Sequence, residues 1–203
     1  MLLYHSFTSP YARKVRVVLL EKGIRFDAID VATTESPLSD INPLGKVPTL
    51  VLDDGTVLFD SAVITETLEA LFPMPALIPQ GSLERAIVRR WEALAEGLCD
   101  VVIPVILDAR RDVSRQNPTY ADKLLGKVRA VLSYFDGRLS GRHFVVGESF
   151  SLADISVVTA LGYLALRKPE LLEGYEGLSA YVARQIMRTS LSTTIPPNLP
   201  VRG

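Results

Sequence analysis

The strongest constraint on this chain is a change of pattern near residue 72. Before it, short β-type runs alternate with helical periodicity; after Ser82, no run of comparable β character appears. Leu2–Ser6 and Phe26–Val31 read as strands. Between them, Pro10–Lys22 reads as a helix, with Tyr11, Val15, Val18 and Leu19 on one face and Gly23 as its stop. A polar stretch from Ala32 to Gly45 follows. Thr49–Leu52 and Thr56–Phe59, joined by Asp53-Asp54-Gly55, read as an antiparallel hairpin, and Ser61 opens a helix that runs to about Phe72.

The order is βαβ, then ββα. With right-handed crossover this predicts a four-stranded mixed sheet with helices on both faces, a thioredoxin-like architecture. Pro73, Pro75, Pro79 and Gly81 mark a linker. Ile87, Trp91, Leu94, Leu98, Val102 and Val105 keep helical spacing beyond it, and Pro104 is expected to kink that helix. Leu124, Val128, Leu132, Phe135 and Leu139 mark another helix, and Ser151–Leu166 and Leu178–Met187 two more. The tail, with Pro196, Pro197 and Pro200, should be extended. An α/β part followed by an all-α helical bundle implies two domains, placed here at 1–77 and 83–203.

Composition excludes several classes. The net charge is −1, without the basic excess of a general nucleic-acid binder. Cys99 is the single cysteine, so no intrachain disulfide forms, and a reducing, cytoplasmic setting is expected. Lying in an apolar helix, Cys99 is expected to be a buried, inert thiol. No signal-peptide pattern and no apolar run of membrane-spanning length is seen. His5 and His143 stand alone, so no metal is expected.

Three short segments carry chemistry. Ser9-Pro10-Tyr11-Ala12-Arg13-Lys14-Val15 opens the first helix and resembles the glutaredoxin motif Cys-Pro-Tyr-Cys with both cysteines replaced. It cannot shuttle a disulfide. It keeps a hydroxyl at a helix N-terminus, where free N–H groups and the helix dipole favour an anion such as a thiolate. Asn42-Pro43-Leu44-Gly45-Lys46-Val47-Pro48 leads into the third strand, and Asp60-Ser61-Ala62-Val63-Ile64 opens the next helix with Ser61 as its expected N-cap. A ligand carboxylate at that N-terminus would take hydrogen bonds from the Ser61 hydroxyl and N–H, while Asp60 attracts an ammonium group. Each segment alone also suits a plain helix or strand start.

Together and at this spacing, the segments resemble the glutathione transferase superfamily, most closely its bacterial serine-type members. The resemblance implies that Pro48 is cis and that the Val47 backbone pairs with an extended peptide. It implies a glutathione site made by Ser9, Lys46, Val47, Pro48, Asp60 and Ser61, with no metal. Ser9 would donate to the thiolate, and Thr8 is the alternative donor. A free thiol of pKa about 8.5 is only a few per cent ionised at neutral pH, and lowering it by about two units requires about 2.7 kcal/mol of preferential thiolate binding. Tyr4, on the first strand, is assigned to the core. Phe150-Ser151-Leu152-Ala153-Asp154-Ile155 matches the family's capping box and hydrophobic staple, so the likeness spans nearly the whole chain.

The implied activity is conjugation of glutathione to a small apolar electrophile by a homodimer, with Phe7, Tyr11, Leu107 and Arg110 expected near the electrophile. Arg13, Lys14 and Arg16 read as a solvated helix face. The rival readings are a non-catalytic protein of the stringent-starvation type and another glutathione-dependent reaction such as peroxide reduction. Asp60 stands where many members have Glu, and its shorter arm puts the γ-glutamyl contact in question.

Overall fold

The computed structural model describes residues 1–33 and 37–197. Strands β1 (Leu2–His5), β2 (Asp27–Asp30), β3 (Thr49–Val51) and β4 (Val57–Phe59) form one sheet in the order β2-β1-β3-β4. β1 pairs in parallel with β2 through the crossover helix α1 (Pro10–Glu21), and β3 runs antiparallel to both β1 and β4. The β3–β4 hairpin turns at Gly55, whose φ of 86° favours a residue without Cβ. α2 (Leu38–Ile41) is a single turn inside the stretch read as polar loop, anchored by buried Leu38. α3 (Ser61–Leu71) closes this half.

The remainder is helical: α4 (Ser82–Asp108), α5 (Pro118–Leu139), α6 (Leu152–Arg167), α7 (Glu176–Gln185) and the short α8 (Thr189–Ser192), with 3-10 turns at Val113–Arg115 and Pro169–Leu172. α4 continues as one helix through Pro104. On α5, the predicted stripe Leu124, Val128, Leu132, Phe135 and Leu139 is the buried face. Pro196 and Pro197 follow α8 outside any helix, while Pro200 and the last residues of the predicted second domain lie outside the described residues.

Two helices are buried almost all round, and both matter to the site. α6 packs against α1, α4 and α7. Its N-terminus carries the predicted capping box: the Asp154 carboxylate accepts from the Ser151 N–H at 2.9 Å and hydroxyl at 3.0 Å, with Phe150 and Ile155 buried beside it. α1 packs against α3, α6 and α8. Leu20 is its one exposed residue, and the reading of Arg13, Lys14 and Arg16 as a solvated face is wrong. Arg13 is 2% and Lys14 1% exposed, and Arg16 is half-buried, its guanidinium 4.9 Å from the Phe7 ring centre. Periodicity within α1 cannot reveal this, because the partners come from α4, α6 and the region around α8.

Lys22, just past α1, holds the linker. Its buried ammonium lies 2.7 Å from Glu69 Oε2 and donates to the carbonyls of Phe72 at 2.7 Å and Pro75 at 2.9 Å. Glu69 in turn accepts from the Leu77 and Ile78 N–H groups. This ties the sheet-bearing half to the helical half before α4 begins.

Candidate functional site

Strand register brings the three motif segments to one end of the sheet. β1 ends at His5 and the chain then turns to Ser9. Thr49, the first residue of β3, pairs with Tyr4 near the end of β1 and with Phe59 at the end of β4. Ser9, Val47–Pro48 and Asp60–Ser61 thus all leave the sheet at the same edge.

Ser9 is the N-cap of α1. Its Oγ accepts from the Ala12 N–H at 3.2 Å, and Pro10 at the first helical position contributes no N–H of its own. An oxygen that accepts the capping bond keeps its own proton to donate outward, into the positive end of a 12-residue helix. Thr8, one residue before the cap, sits 3.4 Å, oxygen to oxygen, from the Ser6 hydroxyl.

The loop before β3 is held by a residue that the sequence reading did not single out. Asn42 is buried; its Nδ2 donates to the Lys46 carbonyl at 2.9 Å and to Thr49 Oγ1 at 3.0 Å, and its Oδ1 accepts from the Leu44 N–H at 3.0 Å. An Asn three residues before the turn glycine Gly45 was the available signal. The Val47–Pro48 peptide is cis. Among the described residues, no hydrogen bond engages the Val47 N–H or C=O, although the flanking Lys46 and Thr49 are both engaged. The Lys46 ammonium is exposed and has no ion-pair partner among the described residues.

At α3 the structure corrects the assignment of the cap by one position. Asp60, not Ser61, is the N-cap: its Oδ1 accepts from the N–H groups of Ala62 at 2.8 Å and Val63 at 3.2 Å, while Ser61 is the first helical residue. Asp60 adopts φ 72°, ψ 128°, and is the one non-glycine residue with positive φ among the described residues. The Ser61 hydroxyl donates to Glu96 Oε1 of α4 at 2.6 Å. That same oxygen lies 2.5 Å from the Lys14 ammonium, which also reaches Glu92 Oε1 at 2.6 Å. A buried cation from α1 is thereby matched by two carboxylates from α4, one of them tied to the start of α3. The signal for Glu92 was its place beside Trp91 and Ala95 in a buried stripe, where a carboxylate requires a partner.

The four residues expected near the electrophile do not form one pocket. Tyr11 lines a small cavity with Pro10, Lys14, Glu96, Cys99 and Thr159, and its phenol donates to Asp100. Burial first, and then that hydrogen bond, push its pKa well up, so it is no acid or base at neutral pH. Phe7 packs edge-on to His5, 4.7 Å between ring centres. Leu107, 53% exposed, and exposed Arg110 lie at the far end of α4 and do not line the Tyr11 cavity. Tyr4 is core, and Cys99 is buried with its thiol pushed up by desolvation.

A glutathione S-transferase N-terminal domain model matches residues 8–71, a stretch that holds Ser9, Val47, Pro48, Asp60 and Ser61, and a glutathione S-transferase C-terminal domain model matches residues 95–188. The chain belongs to the glutathione S-transferase family. The uncharacterized GST-like protein YibF of Escherichia coli is 33% identical over 97% of this chain and 99% of its own length. A stringent starvation protein A homolog of Pasteurella multocida is 30% identical, covering 98% of this chain and 93% of that protein. A glutathione S-transferase from Methylobacillus flagellatus, solved with glutathione bound, is 44% identical over 96% of this chain and 98% of that one, with a TM-score of 0.90. The transferase fold accounts for the mixed sheet and the helical remainder alike. Among the described residues, no cluster of His, Cys, Asp and Glu suits a metal ion, and no helix is long and apolar enough to cross a membrane.

Proposed function

We propose that this protein is a glutathione transferase that holds the glutathione thiolate on Ser9 and conjugates it to a small apolar electrophile. The observation that carries the reading is the state of the Ser9 hydroxyl. Its oxygen accepts from the Ala12 N–H at 3.2 Å, and its proton meets no acceptor among the described residues. A serine placed so has no need to ionise. It donates to a bound sulfur, and the helix dipole adds to the preference for thiolate over thiol.

The rest of the tripeptide is assigned to other groups at the same end of the sheet. The Val47 N–H and C=O pair with the cysteinyl backbone as an added strand. The γ-glutamyl carboxylate takes the Ser61 N–H, an orphan of the first helical turn, and the Ser61 hydroxyl turns from Glu96 to join it. Asp60 Oδ1 caps α3, which leaves Oδ2 for the ammonium group. Lys46, without a carboxylate partner among the described residues, supplies positive charge at the glycine end. Phe7 and Tyr11 flank Ser9 where the electrophile arrives.

The active form is proposed to be a homodimer. Val63 and Leu71, eight residues apart on one stripe of α3, and Leu83 at the start of α4 are all exposed apolar side chains that a second copy would cover. Sedimentation at micromolar concentration is expected to give a dimer.

The test is titration with glutathione, followed by a rate measurement with 1-chloro-2,4-dinitrobenzene. Saturable binding with turnover supports the reading. Binding without turnover across a panel of electrophiles and peroxides removes the transferase assignment, and no binding at all points to a protein that uses the fold for another partner.

A further inference from the structure

Arg13 sets a second problem that the glutathione site does not solve. It is 2% exposed, and no carboxylate of the described residues pairs with it. Its Nε donates to Thr194 Oγ1 at 3.3 Å and its Nη2 to the Leu191 carbonyl at 3.0 Å, both neutral acceptors. Its Nη1 has no hydrogen-bond partner among the described residues. That nitrogen lies over Gly162, where a Cβ would come within 2.5 Å of it, so the absence of a side chain on α6 makes its room. Burial, and then the nearby Arg16, lower its pKa to about 10, which still leaves it a full cation at neutral pH. A buried charge without a counter-ion is costly, and folds normally supply one.

Arg13 forms part of the wall of a cavity of about 240 Å³. One water needs only ~10–15 Å³, so the space suits a larger molecule. The walls are apolar: Val158 and Leu161 of α6, Leu178 and Val182 of α7, and Ile186 and Ile195 beyond it. Exposed Glu173 and Ser179 also border it. The cavity uses the face of α6 that carries Val158, Leu161 and Ala165, whereas Ser156, Thr159 and Ala160 face the small cavity beside Tyr11.

We propose that this cavity binds a small aliphatic monocarboxylate, with its carboxylate on Arg13 Nη1 and its chain along the α6–α7 wall. The guanidinium supplies a charge-assisted donor in a place that water reaches poorly, and the apolar wall removes the chain from solvent. The acidic border disfavours a second negative charge at the other end. A monocarboxylate therefore fits better than the dicarboxylate of the same length.

The experiment is calorimetric titration of the full chain with decanoate, in the presence of saturating S-hexylglutathione so that the Ser9 side is filled. The expected result is one saturable site per chain. Decanol, which has the chain without the charge, should bind roughly tenfold more weakly or worse, given what a hydrogen bond to a charged group contributes. Decanedioate should also be weaker. Ala165→Trp, which fills the cavity from a half-buried position away from Ser9, should lower decanoate affinity about tenfold while conjugation stays unchanged. Arg13→Met is the direct variant, with folding checked by thermal melting. If it does not fold, Ala165→Trp and the decanol comparison decide. Absence of saturable decanoate binding overturns the proposal, as does equal binding of decanol, full affinity in Ala165→Trp, or full affinity in a folded Arg13→Met.

Discussion

The starts of α1 and α6 look alike in sequence, each with a serine before a helical run, and they differ in how completely their polar atoms are used. At α6 the accounting closes. Asp154 Oδ1 accepts from the Val145 N–H at 2.8 Å and the Tyr181 hydroxyl at 2.6 Å, and Oδ2 from the Ser151 N–H and hydroxyl. All of this is buried between α6, α7 and the preceding loop. At α1, the Ser9 oxygen accepts one bond, and neither its proton nor the nearby Val47 backbone has a hydrogen-bond partner among the described residues. A helix N-terminus whose donors and acceptors all meet inside the protein is a fold element. One that leaves donors aimed at a common edge has something left for a ligand.

The largest effect expected from this contrast is on stability. Asp154→Ala leaves the Val145 and Ser151 N–H groups and the Tyr181 hydroxyl buried without their acceptor, and should destabilise the protein by about 3–5 kcal/mol. Thermal or urea melting measures it. Whatever fraction stays folded should bind glutathione with parent affinity. A folded variant with weakened glutathione binding would break the division between the two helix starts.

The mirror experiment is Ser9→Ala. Loss of the cap should cost about 1 kcal/mol of stability. Conjugation at neutral pH should slow by about a hundredfold, the lower end of the range for one donor in a preorganised site. The sign with pH is definite: removing a donor to the thiolate raises the pKa of bound glutathione, so the deficit is largest below that pKa and closes as pH rises past about 8.5, where the free thiol ionises unaided. The pH–rate profile of the two proteins is the measurement. Coincident profiles would reduce Ser9 to a cap like Ser151 and leave the thiolate to Thr8 or to backbone N–H groups.

Ser61→Ala tests a smaller step. With Asp60 as the cap, this change removes no capping bond, only the hydroxyl that donates to Glu96. Glu96 keeps Lys14, so the stability loss should be about 1 kcal/mol. Glutathione affinity should fall roughly tenfold if the hydroxyl turns to the ligand carboxylate. Unchanged affinity in a titration would assign that carboxylate to the Ser61 N–H alone.

These contrasts also show what sequence can carry. The α5 stripe was legible because five apolar residues at helical spacing face one core, and the α6 start because its partners lie three residues apart. The three motif segments were legible as local patterns, and register brings them to one edge. The fate of Arg13 and Lys14 was not legible. Their partners are far along the chain: Glu92 and Glu96 for Lys14, Leu191 and Thr194 for Arg13. A charge on a helix reads as solvated until the packing neighbours are known. The single-turn helices α2 and α8 were missed for a related reason, since four residues hold too little periodicity to register. Asp60 and Ser61 are both good caps, and only the backbone angle at Asp60 decides between them.

That backbone angle supplies the finest test. At φ 72° and ψ 128°, Asp60 occupies a region that costs a residue with a Cβ on the order of 1–3 kcal/mol and glycine little. The side chain offsets part of this by capping Ala62 and Val63, yet glycine at an N-cap is only a few tenths of a kcal/mol worse than aspartate. Asp60→Gly should therefore raise stability, by about 1 kcal/mol or less, or about 2–4 °C in Tm at most for a chain of this length. It should at the same time weaken glutathione binding, because the oxygen left for the ammonium group is gone. Asp60→Asn separates the two effects: it keeps the cap and the strain, so its Tm should match the parent, while its affinity should fall with that of Asp60→Gly. A helix start that is stabilised by losing a residue and binds less well without it is held in that conformation for a ligand. If Asp60→Gly melts lower than the parent, the capping bonds outweigh the backbone cost, and the start of α3 then belongs with α6 as a closed element, leaving the start of α1 as the part of this edge that the fold does not use up.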